Sequence, residues 1–291
     1  MIRTLLFLLL AAAPPVAAAL SPVQATELRI ATWNLQWLTA RPAGDPALPP
    51  NVGPKLPEDV ATLRRYAQQL DADVVAFQEV DGPAIAAEVF PPDRYVIVAT
   101  GDTVVQRVGF AVRRGIAVTR NPDLVALDVQ PNALHRLRSG ADITLDWPGG
   151  HLRLLTLHLK SGCHDARLTG GGRICDTLRR QVAPLQGWVA QRHDEGVPFV
   201  LLGDFNRRMD GRDELLAALR AASPLVRATE GWANPCWGGG GFIDHILAGG
   251  AARGWMQPET MRVMPFRETD IAMKERLSDH CAVSVRFRLP D

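Results

Sequence analysis

Tyrosine is nearly missing from this chain, with two among 291 residues, Tyr66 and Tyr95. Lysine is almost as scarce, supplying three of the 32 basic residues. Cysteine stops at four, with no Cys-x-x-Cys pair. That lack argues against a structural zinc site. Neither sign of charge is in excess, the formal net charge being +1. No broad basic field therefore draws in nucleic acid, which argues against a processive DNA binder but not against a local basic patch. No internal repeat and no long linker interrupt the chain. The N-terminal apolar run, Leu5 to Ala13, falls short of the roughly 20 residues that a membrane-spanning helix needs.

What is present begins with that run. Arg3 precedes it, and small residues follow from Val16 to Ala19. This is the layout of a secretory signal peptide. Residues 1–25 are assigned to it, with cleavage after Ala19 or Ala25. The alternative is an uncleaved anchor. Removal of Arg3 leaves the mature chain about neutral. Abundant arginine with little lysine fits a GC-rich bacterial genome, so a periplasmic or secreted monomer with no stable membrane insertion is expected. Cysteines suit that compartment. Cys163 and Cys175 flank a Gly-rich segment that they would staple, and Cys236 and Cys281 remain. Four cysteines allow three pairings, and Cys281 suits a buried free thiol as well as a bridge.

Residues 26–291 read as one α/β domain. The composition, 47% hydrophobic and 22% charged, is that of a globular protein with one large core. Strands are expected at 28–33, 73–79, 95–99, 108–112, 116–119, 142–147, 152–158, 198–205, 242–248 and 281–287. A helix opens at Pro57, with Val60, Leu63, Ala67 and Leu70 as its stripe. A second is capped by Asp176 and kinked at Pro184, and a third lies in 211–222. The Pro-rich segment 40–57 is a surface loop. Clustered strands with few intervening helices suggest two stacked sheets flanked by helices.

Five stretches carry chemistry: TWN at 32–34, FQE at 77–79, TLHLKSG at 156–162, GDFN at 203–206 and SDH at 278–280. Each puts an acid, amide or imidazole at the end of an apolar strand. Glu79 is the first metal ligand, because a carboxylate there is costly unless paired or metal-bound, and hard ions need only one or two carboxylates. Asn34 contacts a metal water or orients Glu79. Gly203 permits a sharp turn, after which Asp204 accepts a proton from water and Asn206 holds that water. Asp279 and His280 are adjacent at a strand end, so one faces metal and the other phosphate. His280 needs an orienting carboxylate, and Asp244 in FIDHI is the candidate. His158 is a second imidazole at a strand end.

TWN, FQE, HLKSG, GDFN, FIDHI and SDH, in this order and spacing, resemble the endonuclease/exonuclease/phosphatase superfamily over residues 27–288. That group includes secreted deoxyribonucleases, abasic-site endonucleases, inositol polyphosphate phosphatases and bacterial sphingomyelinases. The resemblance implies a four-layer αββα sandwich of two packed mixed β-sheets between helices. It also implies Mg²⁺ or Mn²⁺, with Ca²⁺ serving some members. Asn34, Glu79 and Asp279 then match metal-side residues. Asp204 and Asn206 match the pair that orients water and phosphate, and Asp244 matches the acid partnered to the catalytic His280. His158 matches a phosphate-binding histidine, and Arg138 a phosphate-binding arginine, with Arg136 as its rival. Two features depart from the family. Asp81 stands where many nucleases carry a basic residue, and neither Tyr66 nor Tyr95 matches the family's mid-chain tyrosine. Lys160 is an added candidate for phosphate.

The expected activity is in-line, metal-dependent hydrolysis of a phosphoester, with Asp204, or His280 backed by Asp244, activating water. A nucleic-acid phosphodiesterase is the first reading. A phosphatase or sphingomyelinase-like phospholipase C is the second, for which Trp232 and Trp237 are the candidate apolar surface. A catalytically inactive binding module is the third, and the intact set of acids and histidines argues against it.

Overall fold

The computed structural model describes residues 27–291. The expected signal peptide, residues 1–25, lies outside the described residues. Strands are β1 (Glu27–Leu38), β2 (Val74–Val80), β3 (Tyr95–Ala99), β4 (Arg107–Arg113), β5 (Ala117–Arg120), β6 (Ala141–Trp147), β7 (Gly150–His158), β8 (Phe199–Asp204), β9 (Leu225–Arg227), β10 (Asp244–Gly249), β11 (Met256–Met264) and β12 (Ala282–Arg288). Helices are α1 (Pro57–Leu70), α2 (Pro83–Val89), α3 (Arg173–Asp194), α4 (Glu214–Ala222), α5 (Ala252–Trp255) and α6 (Ile271–Arg276). The strands form two six-stranded sheets, ordered β11-β12-β1-β2-β4-β3 and β5-β6-β7-β8-β10-β9.

Strand alternation produces the layers. Leu28 and Ile30 of β1 point into a core between the sheets, which they share with Phe110, Leu154, Val200, Leu202 and Ile246. Ala31 and Trp33 of the same strand point the other way, onto Leu63, Tyr66 and Leu70 of α1. The second sheet repeats this, with Leu155, Leu157 and Leu201 facing Leu178, Leu185 and Val189 of α3 and Leu216 and Leu219 of α4. Period-two alternation with both faces apolar requires cover on both sides. The result is the expected α-β-β-α sandwich.

Pro57 occupies the first turn of α1, with Glu58 and Asp59 beside it, where fixed φ and negative charge both favour a helix start. The expected cap at Asp176 differs from the structure. Helix α3 begins three residues earlier, at Arg173, with Gly172 at its N-cap and Asp176 in its first turn. A disulfide joins Cys163 to Cys175, and that bridge anchors the first turn in place of a side-chain cap. Pro184 lies inside the helix, which runs on to Asp194. Cys236 bonds Cys281, so no cysteine is free among the described residues.

The topology explains how distant motifs meet. In each sheet one central pair is parallel, β1 with β2 and β7 with β8. The C-terminal ends of these four strands reach one edge of the sandwich. Strands β10 and β12 run antiparallel to their neighbours and so begin at that edge. Among the described residues, no helix is long and apolar enough to cross a membrane.

Candidate active site

Strand register assembles the site. His158 pairs with Asp204, and Asp204 with Asp244, across three adjacent strands. In the other sheet, Asn34 pairs with Gln78, and Glu79 follows. Glu79 has a left-handed backbone with φ 60°, where a residue with a Cβ is strained. The pairing of β2 with β4 shifts register between Phe77 and Val80, and this irregularity re-aims Glu79. Gly203 has φ 142°, and a Cβ on it would lie 2.1 Å from the Leu157 carbonyl oxygen. Only glycine lets β8 approach β7 this closely. Asp204 is the next residue.

Hydrogen bonds join the groups. Asn34 donates through Nδ2 to Glu79 Oε1 at 3.0 Å and to Asp204 Oδ2 at 3.0 Å. Its own oxygen accepts from the Gln36 amide at 2.9 Å. In this arrangement Asn34 orients both acids. His158 Nε2 lies 3.6 Å from Glu79 Oε1 and 3.5 Å from Asp204 Oδ2. The Asn206 backbone amide donates to Asp204 Oδ1 at 2.8 Å, and its side-chain amide donates to the Leu159 carbonyl at 3.1 Å. Across the site, His280 Nδ1 lies 2.7 Å from Asp244 Oδ2. Its Nε2 is 3.8 Å from Asp204 Oδ2 and 3.7 Å from Asp279 Oδ1. Asp279 is exposed and forms the open lip.

The electrostatics follow from burial. Asp204 is 1% exposed. Burial lifts its carboxyl to about 7, against the pull of the His280 charge, with Asp244 and Glu79 adding to the rise. Burial disfavours a charged His280, but Asp244 and Asp204 together outweigh it and hold that imidazole well above its ordinary value. His158 behaves oppositely. Burial, helped by Arg138, His280 and Lys160, pushes it well below. The site therefore holds one neutral and one charged imidazole on either side of a weakly acidic carboxyl. Two groups whose environments drive them apart in this way suit acid-base chemistry.

Arg138 backs His158. It is 7% exposed and donates to the carbonyls of His158 (2.9 Å) and Leu159 (3.2 Å) and to Gln106 Oε1 (3.3 Å). No carboxylate pairs with it among the described residues. Its rival Arg136 is exposed and paired with the buried Asp128 at 2.9 Å. Lys160 turns its ammonium onto the Ser161 carbonyl at 3.0 Å. Asp81, the departure from the family pattern, accepts from Arg41 at 2.7 Å and from Thr39 at 2.8 Å, so its charge is spent on the loop after β1. Trp237 is pinned by a 2.8 Å hydrogen bond to the Ser278 carbonyl and stacks on Phe266.

Several further residues support the site. Ser278 donates to the Asn34 carbonyl at 2.7 Å and accepts from the His280 amide at 3.0 Å. Gln36 Oε1 accepts from the Asp279 amide at 2.8 Å. Thr32, Gln78 and Thr156 form a fully buried hydrogen-bonded ladder between the sheets, just beneath the site. The SDH and TWN motifs hint at Ser278 and Thr32. Gln78 and Thr156 lie within the FQE and TLHLKSG stretches, and Gln36 alone has no sequence signal.

The donor set fits a hard divalent cation. Glu79, Asp204 and Asp244 have no Lys or Arg within 4.0 Å, their only ion-pair partners among the described residues being the two histidines. Buried carboxylates without enough counter-charge are costly. Glu79, His158 and Asp204 present ligand atoms within 4.8 Å of one another, as do Asp204, Asp244 and His280. His158 Nδ1 and Asp244 Oδ1 are buried without a hydrogen-bond partner.

Comparisons with known proteins bear on the fold and the family. Solved structures share the fold at low identity. TDP2 of D. rerio, humanised by 14 mutations, superposes with a TM-score of 0.61 at 18% identity, over 91% of this chain and 100% of that one. The 3' phosphatase NExo from Neisseria gives 0.58 at 18% identity, over 90% and 100%. The human Nocturnin catalytic domain gives 0.57 at 15% identity, over 90% and 94%. No curated protein sequence matches. The model of the Endonuclease/Exonuclease/phosphatase family matches residues 31–280, a span running from β1 to the catalytic-candidate His280, and the chain belongs to that family.

Proposed function

We propose that the protein is a divalent-metal-dependent phosphodiesterase that hydrolyses nucleic acid, working in the periplasm or outside the cell. One observation carries this reading: Asp204 Oδ2 lies within 4 Å of both histidines and 3.0 Å from Asn34. A single carboxylate oxygen is thus framed by a neutral imidazole, a charged one and an orienting amide. Two further findings support nucleic acid as substrate. The Neisseria enzyme was solved with a product DNA hairpin, and D. rerio TDP2 with a single-stranded DNA product. Two disulfides support an oxidising compartment.

Glu79 and Asp279 would hold Mg²⁺ or Mn²⁺, with Ca²⁺ as the alternative, and Asp204 offers a ligand atom within 4.8 Å of that of Glu79. When bound, the ion supplies Lewis-acid stabilisation of the phosphoryl and leaving oxygens. The protein's own groups do the rest. Asn34 fixes Glu79 and Asp204. Asp204, raised in basicity by burial, takes the proton as water oxygen attacks phosphorus. Asn206 positions Asp204, and with it the water. His280, kept charged by Asp244, neutralises charge that builds on the phosphoryl oxygens. His158 contacts the phosphoryl group from the opposite side, with Arg138 and Lys160 contributing positive potential. The P–O bond to the leaving alcohol breaks, and the alkoxide takes its proton from solvent.

The test is a substrate panel. Purified mature protein and Asp204→Asn are incubated with Mg²⁺, Mn²⁺ or Ca²⁺ against plasmid DNA, RNA, sphingomyelin and a phosphomonoester. Metal-dependent cleavage of DNA or RNA, lost in the variant, is expected. Activity confined to the monoester or to sphingomyelin overturns the nucleic-acid reading.

A further inference from the structure

We propose that Trp37 is a stacking platform for a nucleobase next to the scissile phosphate. It would then be a specificity-determining residue of this site, a role that rests on the phosphodiesterase reading. The backbone supplies the first argument. Gln36 and Trp37 are consecutive left-handed residues, with φ 41° and 53°. A bulky aromatic residue is rarely held there, because its Cβ crowds the backbone. The acid cluster imposes it. The Trp37 amide donates to Glu79 Oε2 at 3.2 Å, the Gln36 amide donates to Asn34 Oδ1, and the Gln36 side chain accepts from the Asp279 amide. The indole is therefore fixed relative to the very groups that would bind metal and phosphate.

The second argument is what the ring does not do. Trp33, Tyr66 and Trp237 each pack on Phe266. Trp37 makes no aromatic pair among the described residues, its indole nitrogen makes no hydrogen bond there, and it is only half-buried. A strained aromatic left out of that cluster is not explained by packing.

The third argument is location. Trp37 lines two grooves, of about 290 and 400 Å³. Arg138 lies in the first and Lys55 in the second. The Arg138 guanidinium has no carboxylate partner among the described residues, and the Lys55 ammonium donates to the Arg276 carbonyl at 3.1 Å in a groove that Asp59, paired with Arg276, and Glu275 also line. A cation in each groove with an aromatic face between them is the pattern that accepts a single strand. Cations track successive phosphates, and a π-face takes the base whatever its identity. Asp81, which would repel a strand, is already neutralised by Arg41.

The experiment is a double-mutant cycle between protein and substrate. Oligonucleotides carry one abasic residue, walked across the positions flanking the cleaved bond. They are cleaved by wild type, Trp37→Leu and Trp37→Phe, with circular dichroism confirming each fold. At one position wild type should lose about five- to hundredfold in kcat/KM, mostly through KM, the range expected for one stacked base. Trp37→Leu should lose a similar factor on the intact strand and nothing more on the abasic one, while Trp37→Phe keeps most of the discrimination. Equal abasic losses in wild type and Trp37→Leu overturn the proposal. So does a wild-type enzyme indifferent to abasic residues at every position, a result obtainable without any variant. Failure of wild type to cleave any oligonucleotide would instead remove the nucleic-acid reading itself, and the stacking role with it.

Discussion

His280 Nδ1 and Asp244 Oδ2 lie 2.7 Å apart, although 36 residues separate them in sequence. This contact fixes the imidazole so that Nε2 points at Asp204 and Asp279. It also keeps the ring protonated well above its ordinary range. Asp244→Asn should therefore lower turnover by roughly 10- to 100-fold, the usual loss when an orienting partner is removed. The His280 titration, followed by NMR of the imidazole, should move down toward the ordinary value. An unmoved titration would show that Asp244 does not set the charge of His280.

Stability should depend on pH with a definite sign. Asp204 is lifted from 3.8 to about 7, so the folded protein favours its neutral form. That group's contribution to the stability of the metal-free protein is lost as pH rises through that interval, whereas His158 and His245, which burial holds below the ordinary imidazole value, contribute stability that is lost as pH falls. His280 acts in the same direction as Asp204. Its folded value is raised above 6.5, so its stabilisation is full below about 6.5 and is lost as pH climbs through the raised value. A divalent ion that binds the deprotonated cluster should reverse this. Millimolar Mn²⁺ should raise Tm by several degrees at pH 8 and by less at pH 5.5, and Asp204→Asn should flatten the difference. Equal metal-induced shifts at both pH values in wild type would argue against binding at Asp204.

Gly203 joins fold to site. Its φ of 142° and the 2.1 Å approach of a Cβ to the Leu157 carbonyl oxygen leave no room for a side chain between β7 and β8. Gly203→Ala should cost on the order of 3 kcal/mol or more, from backbone strain and clash combined. Thermal denaturation should show Tm lowered by several degrees, with activity reduced because Asp204 is displaced. A Tm within a degree of wild type would contradict the close approach.

The two disulfides should differ in consequence. Cys236–Cys281 spans 45 residues and Cys163–Cys175 spans 12. Loop-closure entropy assigns them about 4 and 3 kcal/mol respectively. The longer bridge also holds the residue after His280. A Cys236→Ser/Cys281→Ser variant should lose both stability and turnover, measured by denaturant titration and initial rate. The Cys163→Ser/Cys175→Ser variant should mainly lose stability. Equal loss of turnover in both would remove the link between Cys281 and His280.

The layers of the fold were legible because their signal is local. Alternation marks β1, unbroken apolar runs mark β2 and β8, and Pro57 with Glu58 and Asp59 marks the start of α1. Strand β11 gave no such signal. Its sequence, MQPETMRVM, carries a proline and a charge at central positions, which an edge strand with a register shift between Gln257 and Arg262 tolerates. The start of α3 was misplaced because a disulfide, not a side-chain cap, secures it. In the site, acids and histidines at strand ends stand out, since apolar strands do not end in carboxylates without reason. Gln36 does not stand out, and Ser278 stands out only as the first residue of SDH. Each acts by hydrogen-bonding backbone more than 240 residues away in sequence, and only the antiparallel pairing of β12 with β1 brings them there. The left-handed turn at Gln36 and Trp37 is likewise imposed by the acids rather than by local propensity.

The central claim is that Glu79, Asp204 and His280 form one metal-dependent hydrolytic centre. The most direct measurement is single-turnover cleavage of a labelled oligonucleotide by wild type, Glu79→Gln, Asp204→Asn and His280→Ala. Each is assayed with saturating Mn²⁺ and with excess chelator, and Tm is recorded for every protein. Cleavage by wild type that stops with chelator, and falls roughly 10²- to 10⁴-fold in each variant at undiminished Tm, is the predicted result. Near-normal rates in all three folded variants, or wild-type cleavage that persists without metal, would contradict it.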